Sequence, residues 1–164
     1  MDQTISLRSI VSEDRDFLYR VYASTRADEL KLVDWDDTQK RAFLEMQFNA
    51  QHTYYTQAFA QAEYQIILLG GEPIGRLYVD RRPDEIRLID IALLPEYRGQ
   101  GIGSYFLEQL FGEARRARLP VRIHVEQFNP ALRLYLRLGF RKIGDTGVYF
   151  LMEWSPPPEG NGHG

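Results

Sequence analysis

The feature that most constrains the fold is a glycine-rich turn between an apolar segment and an amphipathic one. Residues 93–104 read Leu-Leu-Pro-Glu-Tyr-Arg-Gly-Gln-Gly-Ile-Gly-Ser. Pro95 ends the preceding strand because it has no N–H for a sheet ladder. Glycine adopts positive φ at little cost, so successive N–H groups can converge at the start of the following helix. Such a nest, at the positive end of a helix dipole, predicts an anion site for phosphate, with the Arg98 guanidinium beside it.

Hydrophobic periodicity along the chain predicts the element order β-α-α-β-β-β-α-β-α-β-β. The predicted strands span residues 4–10, 64–69, 73–80, 85–94, 121–126, 140–144 and 148–154. The predicted helices begin at Ser12 and at Thr38 as N-caps, span residues 101–117, and run from Asn129-Pro130 to Gly139. This order is typical of a mixed α/β sheet with an antiparallel first half and a βαβ crossover in the second.

Length and composition predict one domain over residues 1–154, followed by a flexible tail over residues 155–164. The 164 residues include no cysteine, which excludes disulfide scaffolds, cysteine zinc sites and a thiol nucleophile. No apolar run is long enough for a membrane span, and the first residues do not resemble a signal peptide. We therefore expect a soluble, cytoplasmic protein without membrane contact.

Two other phosphate-binding loops can be tested by their spacing. The chain contains no Gly-x-x-x-x-Gly-Lys-Ser/Thr sequence, so a P-loop is excluded. A dinucleotide fingerprint requires Gly-x-Gly-x-x-Gly, and here the third glycine, Gly103, comes one residue early. Glu126 ends the next predicted strand, where that fingerprint places an acid, but the turn lies late in the chain. We therefore expect neither a P-loop nor a dinucleotide-binding loop.

The turn resembles the acetyl-CoA signature of the GNAT superfamily of N-acetyltransferases, Gln/Arg-x-x-Gly-x-Gly/Ala, matched by Arg98, Gly101 and Gly103. A second segment, Asn-Pro-Ala-Leu-Arg-Leu-Tyr-Leu-Arg-Leu-Gly-Phe over residues 129–140, is similar to the family's Asn-x-x-Ala-x-x-Leu-Tyr-x-x-x-Gly-Phe. Its asparagine-to-tyrosine spacing is one residue shorter than the family's. The two motifs are separated by one βα unit, and the likeness extends over residues 4–154.

The resemblance implies a GNAT-like fold and direct transfer of an acetyl group from acetyl-CoA, as co-substrate, to the primary amine of a small molecule or peptide. The pyrophosphate would bind the backbone amides of residues 98–104. The strand before the turn would diverge from its neighbour, and the pantetheine arm would pair with that strand near Ile91 and Leu93. The implied cofactor-binding residues are Ile91, Leu93, Arg98, Gly99, Gln100, Gly101, Ile102, Gly103, Ser104 and Asn129.

Two side chains are candidates for catalysis. By the resemblance, Tyr135 would protonate the departing thiolate as general acid; the alternative is a core aromatic on a helix face. Asp90 lies in an apolar strand, where loss of solvation favours a proton-accepting carboxylate, so it is a candidate base; the alternative is a structural acid. Glu85, near the preceding turn, is a weaker candidate for the base.

The acceptor and the partners are less constrained. Residues 47–59 are rich in aromatics and amides, and would either line an acceptor pocket or pack a Phe48, Tyr55 and Phe59 face on the sheet. The residues Trp35-Asp36-Asp37 would either attract a cationic amine or cap a helix. The three histidines show no metal-ligand spacing, so we expect no metal. We allow for a homodimer, although the sequence does not fix the oligomeric state.

Two other classes of function remain as alternatives. A non-catalytic acyl-CoA sensor would retain the glycine turn without needing Tyr135 or Asp90. A nucleic-acid binder would use the basic stretch over residues 98–142, which holds nine Lys/Arg and three acids. Its contacts would come from Arg115, Arg116, Arg118 and Arg122, but no basic strand with interleaved aromatic residues accompanies these arginines. The acidic isoelectric point of about 5.6 also argues against nucleic acid.

Overall fold

The computed structural model describes residues 4–127 and 129–158, so positions 159–164 of the expected tail lie outside the described residues. The strands are β1 (Ile5–Ser9), β2 (Glu63–Leu69), β3 (Glu72–Arg81), β4 (Ile86–Leu93), β5 (Val121–Glu126), β6 (Arg141–Asp145) and β7 (Tyr149–Trp154). The helices are α1 (Arg15–Leu30), α2 (Asp37–Ala58), α3 (Ile102–Ala117) and α4 (Leu132–Arg137), with short 3-10 turns at Ser12–Asp14 and Pro95–Tyr97. The predicted element order is confirmed.

The strands form one seven-stranded mixed sheet in the order β1-β2-β3-β4-β5-β7-β6. β1 pairs antiparallel with β2, β4 pairs parallel with β5, and β7 pairs antiparallel with β5 and β6. Because β4 and β5 are parallel, the chain between them must cross over, and α3 makes that crossover. The fold is therefore the mixed α/β architecture that the sequence predicts.

The chain divides into two compact units. The first unit comprises the chain up to Tyr78 together with Ile91–Arg98. The second comprises Val79–Asp90 together with the chain from Gly99 onward. Each unit has its own buried apolar residues and is described separately below.

In the first unit, α1 packs against α2 through aromatic side chains. The ring of Phe48 on α2 lies 5.8 Å from that of Tyr19 and 5.9 Å from that of Tyr22. Farther along α2, the Tyr55 ring lies 6.0 Å from Tyr78 of β3. Tyr55 thus packs on the sheet, as the packing alternative expects, whereas Phe48 packs on α1; a role of this face in an acceptor pocket remains a prediction. The remaining buried apolar residues of this unit include Leu18, Val21, Ile66, Ile67 and Ile74.

In the second unit, α3 buries one apolar stripe. The Phe111 ring stacks on Trp154 of β7 with centroids 4.2 Å apart, and the guanidinium of Arg115 lies over the same indole. Leu107 and Ala114 are fully buried on the same stripe, as i, i+3, i+4 spacing requires. This packing uses one of the arginines of the basic stretch to cover an aromatic ring.

Three helix starts differ from the sequence expectation, and the third is that of α4, which begins at Leu132 after the N-cap Ala131 rather than at Asn129-Pro130. Ser12 is not an N-cap, because it is the first residue of the 3-10 turn and α1 begins only at Arg15. Its hydroxyl donates to the Glu13 carboxylate, whereas the Asp14 carboxylate accepts the N–H of Val11 and pairs with Arg8. The cap of α2 is Asp36 rather than Thr38. Its carboxylate accepts the Gln39 N–H at 2.8 Å while the Gln39 side chain accepts the Asp36 N–H, which is a capping box.

Candidate functional site

The glycine-rich turn has the backbone conformation that its sequence predicts. Gly99 has φ of +73° and Gly101 has φ of +84°, in the region that favours glycine. α3 begins directly afterwards, and its first helical bond joins the Tyr105 N–H to the Gly101 carbonyl. No side chain caps this helix and no acid lies in its first turn. The N–H groups of residues 102–104 come before this first bond, so the helix itself offers them no carbonyl acceptor. They can therefore bind an anion.

The other residues of the turn differ in burial. Ile102 and Gly103 are buried, Ser104 is half-buried and Gln100 is exposed. A Cβ on Gly103 would lie 3.3 Å from the Leu134 Cδ2 of α4, so α4 packs closely on the first turn of α3. The buried side chains anchor the helix start while the exposed backbone of the turn remains accessible.

β4 and β5 pair over a short distance only. The parallel ladder joins Ile86 to Val121 and Arg87 to Arg122, and it does not continue over residues 88–90 and 123–126 of the second unit. A ladder this short is what the divergence implied by the resemblance requires. Beyond the ladder, backbone groups along β4 can pair with an extended ligand instead of with β5.

The end of β4 is tightly held within the first unit. The Leu94 N–H donates to the Ile74 carbonyl of β3 at 2.8 Å. A Cβ on Gly75 would lie 2.4 Å from the Ala92 carbonyl oxygen and 2.8 Å from the Leu93 Cδ2, so this strand interior requires glycine. Glycine inside an apolar strand was the available sequence signal for this close approach.

The Arg98 side chain also bonds within the first unit. Its Nε donates to the Leu93 carbonyl at 3.0 Å and its Nη2 donates to the Ser24 Oγ of α1 at 3.1 Å. The expected role of Arg98 beside a phosphate remains a prediction. Sequence reasoning missed Ser24, because no local pattern signals a contact between residues 74 positions apart.

Tyr135 and Asp90 interact electrostatically in the second unit. Tyr135 on α4 is 1% exposed, and its ring lies 5.5 Å from that of Phe140. Burial, and secondarily the negative charge of Asp90, raise the pKa of the Tyr135 hydroxyl well above its ordinary value. Asp90 on β4 is half-buried. Both predicted catalytic side chains therefore belong to the second unit, and their catalytic roles remain predictions.

Asn129 stabilises the segment that opens α4. Its side-chain oxygen accepts the Ala131 N–H at 2.8 Å, and its carbonyl accepts the Leu132 N–H at 3.0 Å. These bonds satisfy backbone donors that precede the helix. Asn129 thus stabilises the turn before α4 without being its N-cap, which is Ala131, and its contact with a cofactor remains a prediction.

Glu85 lies in a network of ion pairs in the second unit. It is 5% exposed, and its carboxylate accepts from Arg87 at 2.9 Å, Arg122 at 3.0 Å and Arg82 at 3.3 Å. Burial raises the pKa of Glu85, but the hydrogen bonds from Arg87 and Arg122 outweigh it, so the net pKa lies below its ordinary value. A carboxylate held in this form is a poor proton acceptor, which favours a structural role.

The remaining candidates are accounted for by local contacts. The Arg87 guanidinium contacts the His124 Nδ1 at 2.6 Å, and burial and the charge of Arg87 lower the pKa of His124. Trp35 packs edge-on against Phe43 while its neighbour Asp36 caps α2.

Over residues 4–127 and 129–158, no cluster of His, Asp or Glu could hold a metal ion. No helix in the same ranges is both long and apolar enough to cross a membrane.

Comparison with known proteins gives consistent relatives in sequence and fold. The N-alpha-acetyltransferase RimI of Mycobacterium tuberculosis (strain ATCC 25618 / H37Rv) is 28% identical over 139 residues, which cover 78% of this chain and 82% of the relative. The fold resembles the PaiA N-acetyltransferase from Thermoplasma acidophilum, crystallised with coenzyme A (TM-score 0.69, 17% identity, 93% of this chain and 99% of that one). It also resembles the ribosomal-protein-S18-alanine N-acetyltransferase from Escherichia coli, with a TM-score of 0.60 and 19% identity. That match covers 96% of this chain and 98% of the other.

The family model of the acetyltransferase (GNAT) family matches residues 16–140, which is well over half of the chain. That range includes both motifs, the glycine-rich turn and the segment around Tyr135. The chain belongs to the acetyltransferase (GNAT) family and is an acetyl-CoA-dependent acyltransferase.

Proposed function

We propose that this protein transfers the acetyl group of acetyl-CoA to the α-amino group of a peptide or protein, by direct attack in a ternary complex. The amine class is suggested by the names of two relatives, an N-alpha-acetyltransferase and an enzyme that acetylates an alanine of ribosomal protein S18. The bond that forms is an amide, and the bond that breaks is the thioester. The thiolate of coenzyme A leaves and takes up a proton.

The observation that carries this proposal is the glycine-rich turn that opens α3. Its positive-φ glycines and uncapped helix start present backbone N–H groups that suit the pyrophosphate of coenzyme A. We assign the amides of residues 98–104 to that contact. The divergence of β4 from β5 favours pairing of the pantetheine arm with β4 near Ile91 and Leu93. A backbone N–H near Leu93 would polarise the thioester carbonyl.

The proposed general acid is Tyr135. The tyrosine hydroxyl is protonated throughout the neutral range, so a proton is available when the thiolate leaves. Burial raises the pKa of Tyr135 and so makes the phenol a weaker acid; the proposal therefore depends on its position in the motif and not on this shift. Asp90 is the proposed acceptor of the proton that the attacking ammonium must lose. Asp90 and Tyr135 both belong to the second unit, and the two roles are part of the proposal.

A thermal melt with acetyl-CoA, coenzyme A and ATP at matched concentrations tests the cofactor assignment. At 100 times its Kd a ligand adds about 2.7 kcal/mol, which raises the melting temperature by roughly 5–10 °C for a chain of this length. We expect a shift with both coenzyme A species and none with ATP. Absence of any shift would contradict the proposed cofactor site.

A thiol-release assay tests the acceptor assignment. The acceptor is a peptide that begins with alanine, and the control is the same peptide with its N-terminus blocked and one internal lysine added. We expect release with the first peptide only. Release with the lysine peptide alone would contradict the α-amino assignment. Coenzyme A binding without release from either peptide would likewise overturn the proposed acceptor class.

A further inference from the structure

The Arg98 side chain connects two elements of the first unit. Its guanidinium donates through Nε to the Leu93 carbonyl at the end of β4, and through Nη2 to the Ser24 hydroxyl of α1. The planar guanidinium presents these two donors in a fixed geometry. One side chain therefore fixes the end of the strand relative to the helix.

The bond to Ser24 has a defined direction. The Ser24 hydroxyl donates its one hydrogen to the Val21 carbonyl at 2.7 Å, so its oxygen accepts from Arg98. The neighbouring Thr25 makes the same backward bond, to the Tyr22 carbonyl at 2.6 Å. In the part of the chain that the structure describes, Arg98 bonds to the Ser24 hydroxyl and not to that of Thr25. The chain thus contains a matched control for this contact.

The peptide between Leu93 and Leu94 is held from both sides. Arg98 binds its carbonyl, and the Ile74 carbonyl of β3 accepts its N–H at 2.8 Å. The close approach of β3 at Gly75 leaves the strand end little room to shift. Because this peptide is fixed, rotation about the Cα–C bond of Leu93 is restricted, and the direction of the Leu93 N–H is restricted with it.

We propose that Arg98 is a positioning residue for the acetyl group, with Ser24 as its second support, rather than a charged ligand of the phosphates. This inference rests on the proposed function, in which the N–H near Leu93 polarises the thioester carbonyl. The phosphates are then bound by the backbone of the turn alone. Loss of the Arg98 contacts slows the acetyl-transfer step and leaves coenzyme A affinity unchanged.

Four variants separate a positioning role from a phosphate-binding role. Arg98→Lys keeps the charge but replaces the planar fork with a single ammonium, and Arg98→Gln removes the charge. Ser24→Ala removes the acceptor hydroxyl, and Ser24→Thr keeps it. Thr25→Ala is the matched control, since it deletes an equivalent backward bond outside the contact. The measurements are kcat and KM for acetyl-CoA by thiol release, with the alanine peptide and without acceptor, and the Kd of coenzyme A by calorimetry.

We expect both Arg98 variants to lower kcat by about ten-fold, near the lower end of the range for a hydrogen bond to a charged group. Ser24→Ala should lower kcat by about three-fold, while Ser24→Thr and Thr25→Ala stay near wild type. The Kd of coenzyme A should stay within about two-fold in every variant, and Ser24→Ala should add little to Arg98→Lys because the two act through one contact.

Three results would overturn the inference. The first is a weaker Kd for coenzyme A in Arg98→Gln with kcat unchanged, which assigns the guanidinium to the phosphates. The second is full additivity of the Ser24 and Arg98 variants, and the third is an equal loss in Thr25→Ala. Failure of the wild-type protein to bind coenzyme A would instead refute the proposed function itself, before any variant is compared.

Discussion

Replacement of Gly101 by alanine measures how far the conformation of the turn determines cofactor affinity. A Cβ at Gly101 would meet nothing within 4 Å, so steric overlap with neighbouring atoms contributes nothing to the cost. The cost comes from φ of +84°, which an L-residue adopts at about 1–2 kcal/mol. The free variant can relax to a conformation without that strain. Binding must then return residue 101 to positive φ at this cost, so acetyl-CoA affinity falls by about 5–30-fold.

The chain offers a control with nearly identical geometry. Gly71, in the turn between β2 and β3, has φ of +85° and likewise no atom within 4 Å of an added Cβ. Gly71→Ala should therefore lower the free energy of unfolding by a similar amount, about 1–2 kcal/mol, without weakening acetyl-CoA. Urea denaturation gives the stability of both variants, and calorimetry gives the Kd. Unchanged affinity in Gly101→Ala, or equally weakened affinity in Gly71→Ala, would refute the reasoning.

Three further predictions concern the titratable groups. Glu85→Gln should reduce the free energy of unfolding at neutral pH by about 1–3 kcal/mol. The control is Glu113→Gln, which removes the more exposed ion pair with Arg81 and should cost less than about 1 kcal/mol. Because the folded pKa of Glu85 lies below its ordinary value, this stabilisation is present above the ordinary carboxyl range and is lost as pH falls through the folded pKa. Urea titrations at pH 7 and pH 3 should therefore show a smaller Glu85→Gln deficit at pH 3, and an equal deficit would contradict the ion-pair account. Tyr135→Phe should lower kcat by about 100-fold with little change in acetyl-CoA Kd, and unaltered kcat would remove the acid role. Asp90→Asn should flatten the acidic limb of the pH–rate profile where chemistry limits the rate, whereas an intact limb would exclude Asp90 as the base.

The element order was predictable because each element has a strong local signal. Alternation of apolar and polar residues indicates the strands, and the glycine pairs indicate the turns. The apolar stripe indicates the helix α3. The helix starts were less predictable, because several capping residues lie close together. Asp36 and Thr38 are both good N-caps, and the choice depends on Gln39, which completes a box with Asp36 only.

The parts of the site that the sequence did not reveal depend on contacts between distant residues. Ser24 meets Arg98 only because α1 packs near the end of β4 within the first unit. The interaction of Asp90 with Tyr135 likewise joins β4 to α4 within the second. Local periodicity indicates which residues lie in each element but not which side chains meet across elements.

β6 is the last strand of the sheet and is interrupted by an irregularity. Between Lys142 and Gly144 its register shifts against β7, so Ile143 is an extra residue on the outer strand. Arg141 and Lys142 add two adjacent positive charges to this short edge. A bulge and charged side chains make an edge a poor template for a further strand. A strand of a second molecule would therefore find few consecutive, evenly spaced backbone partners along β6.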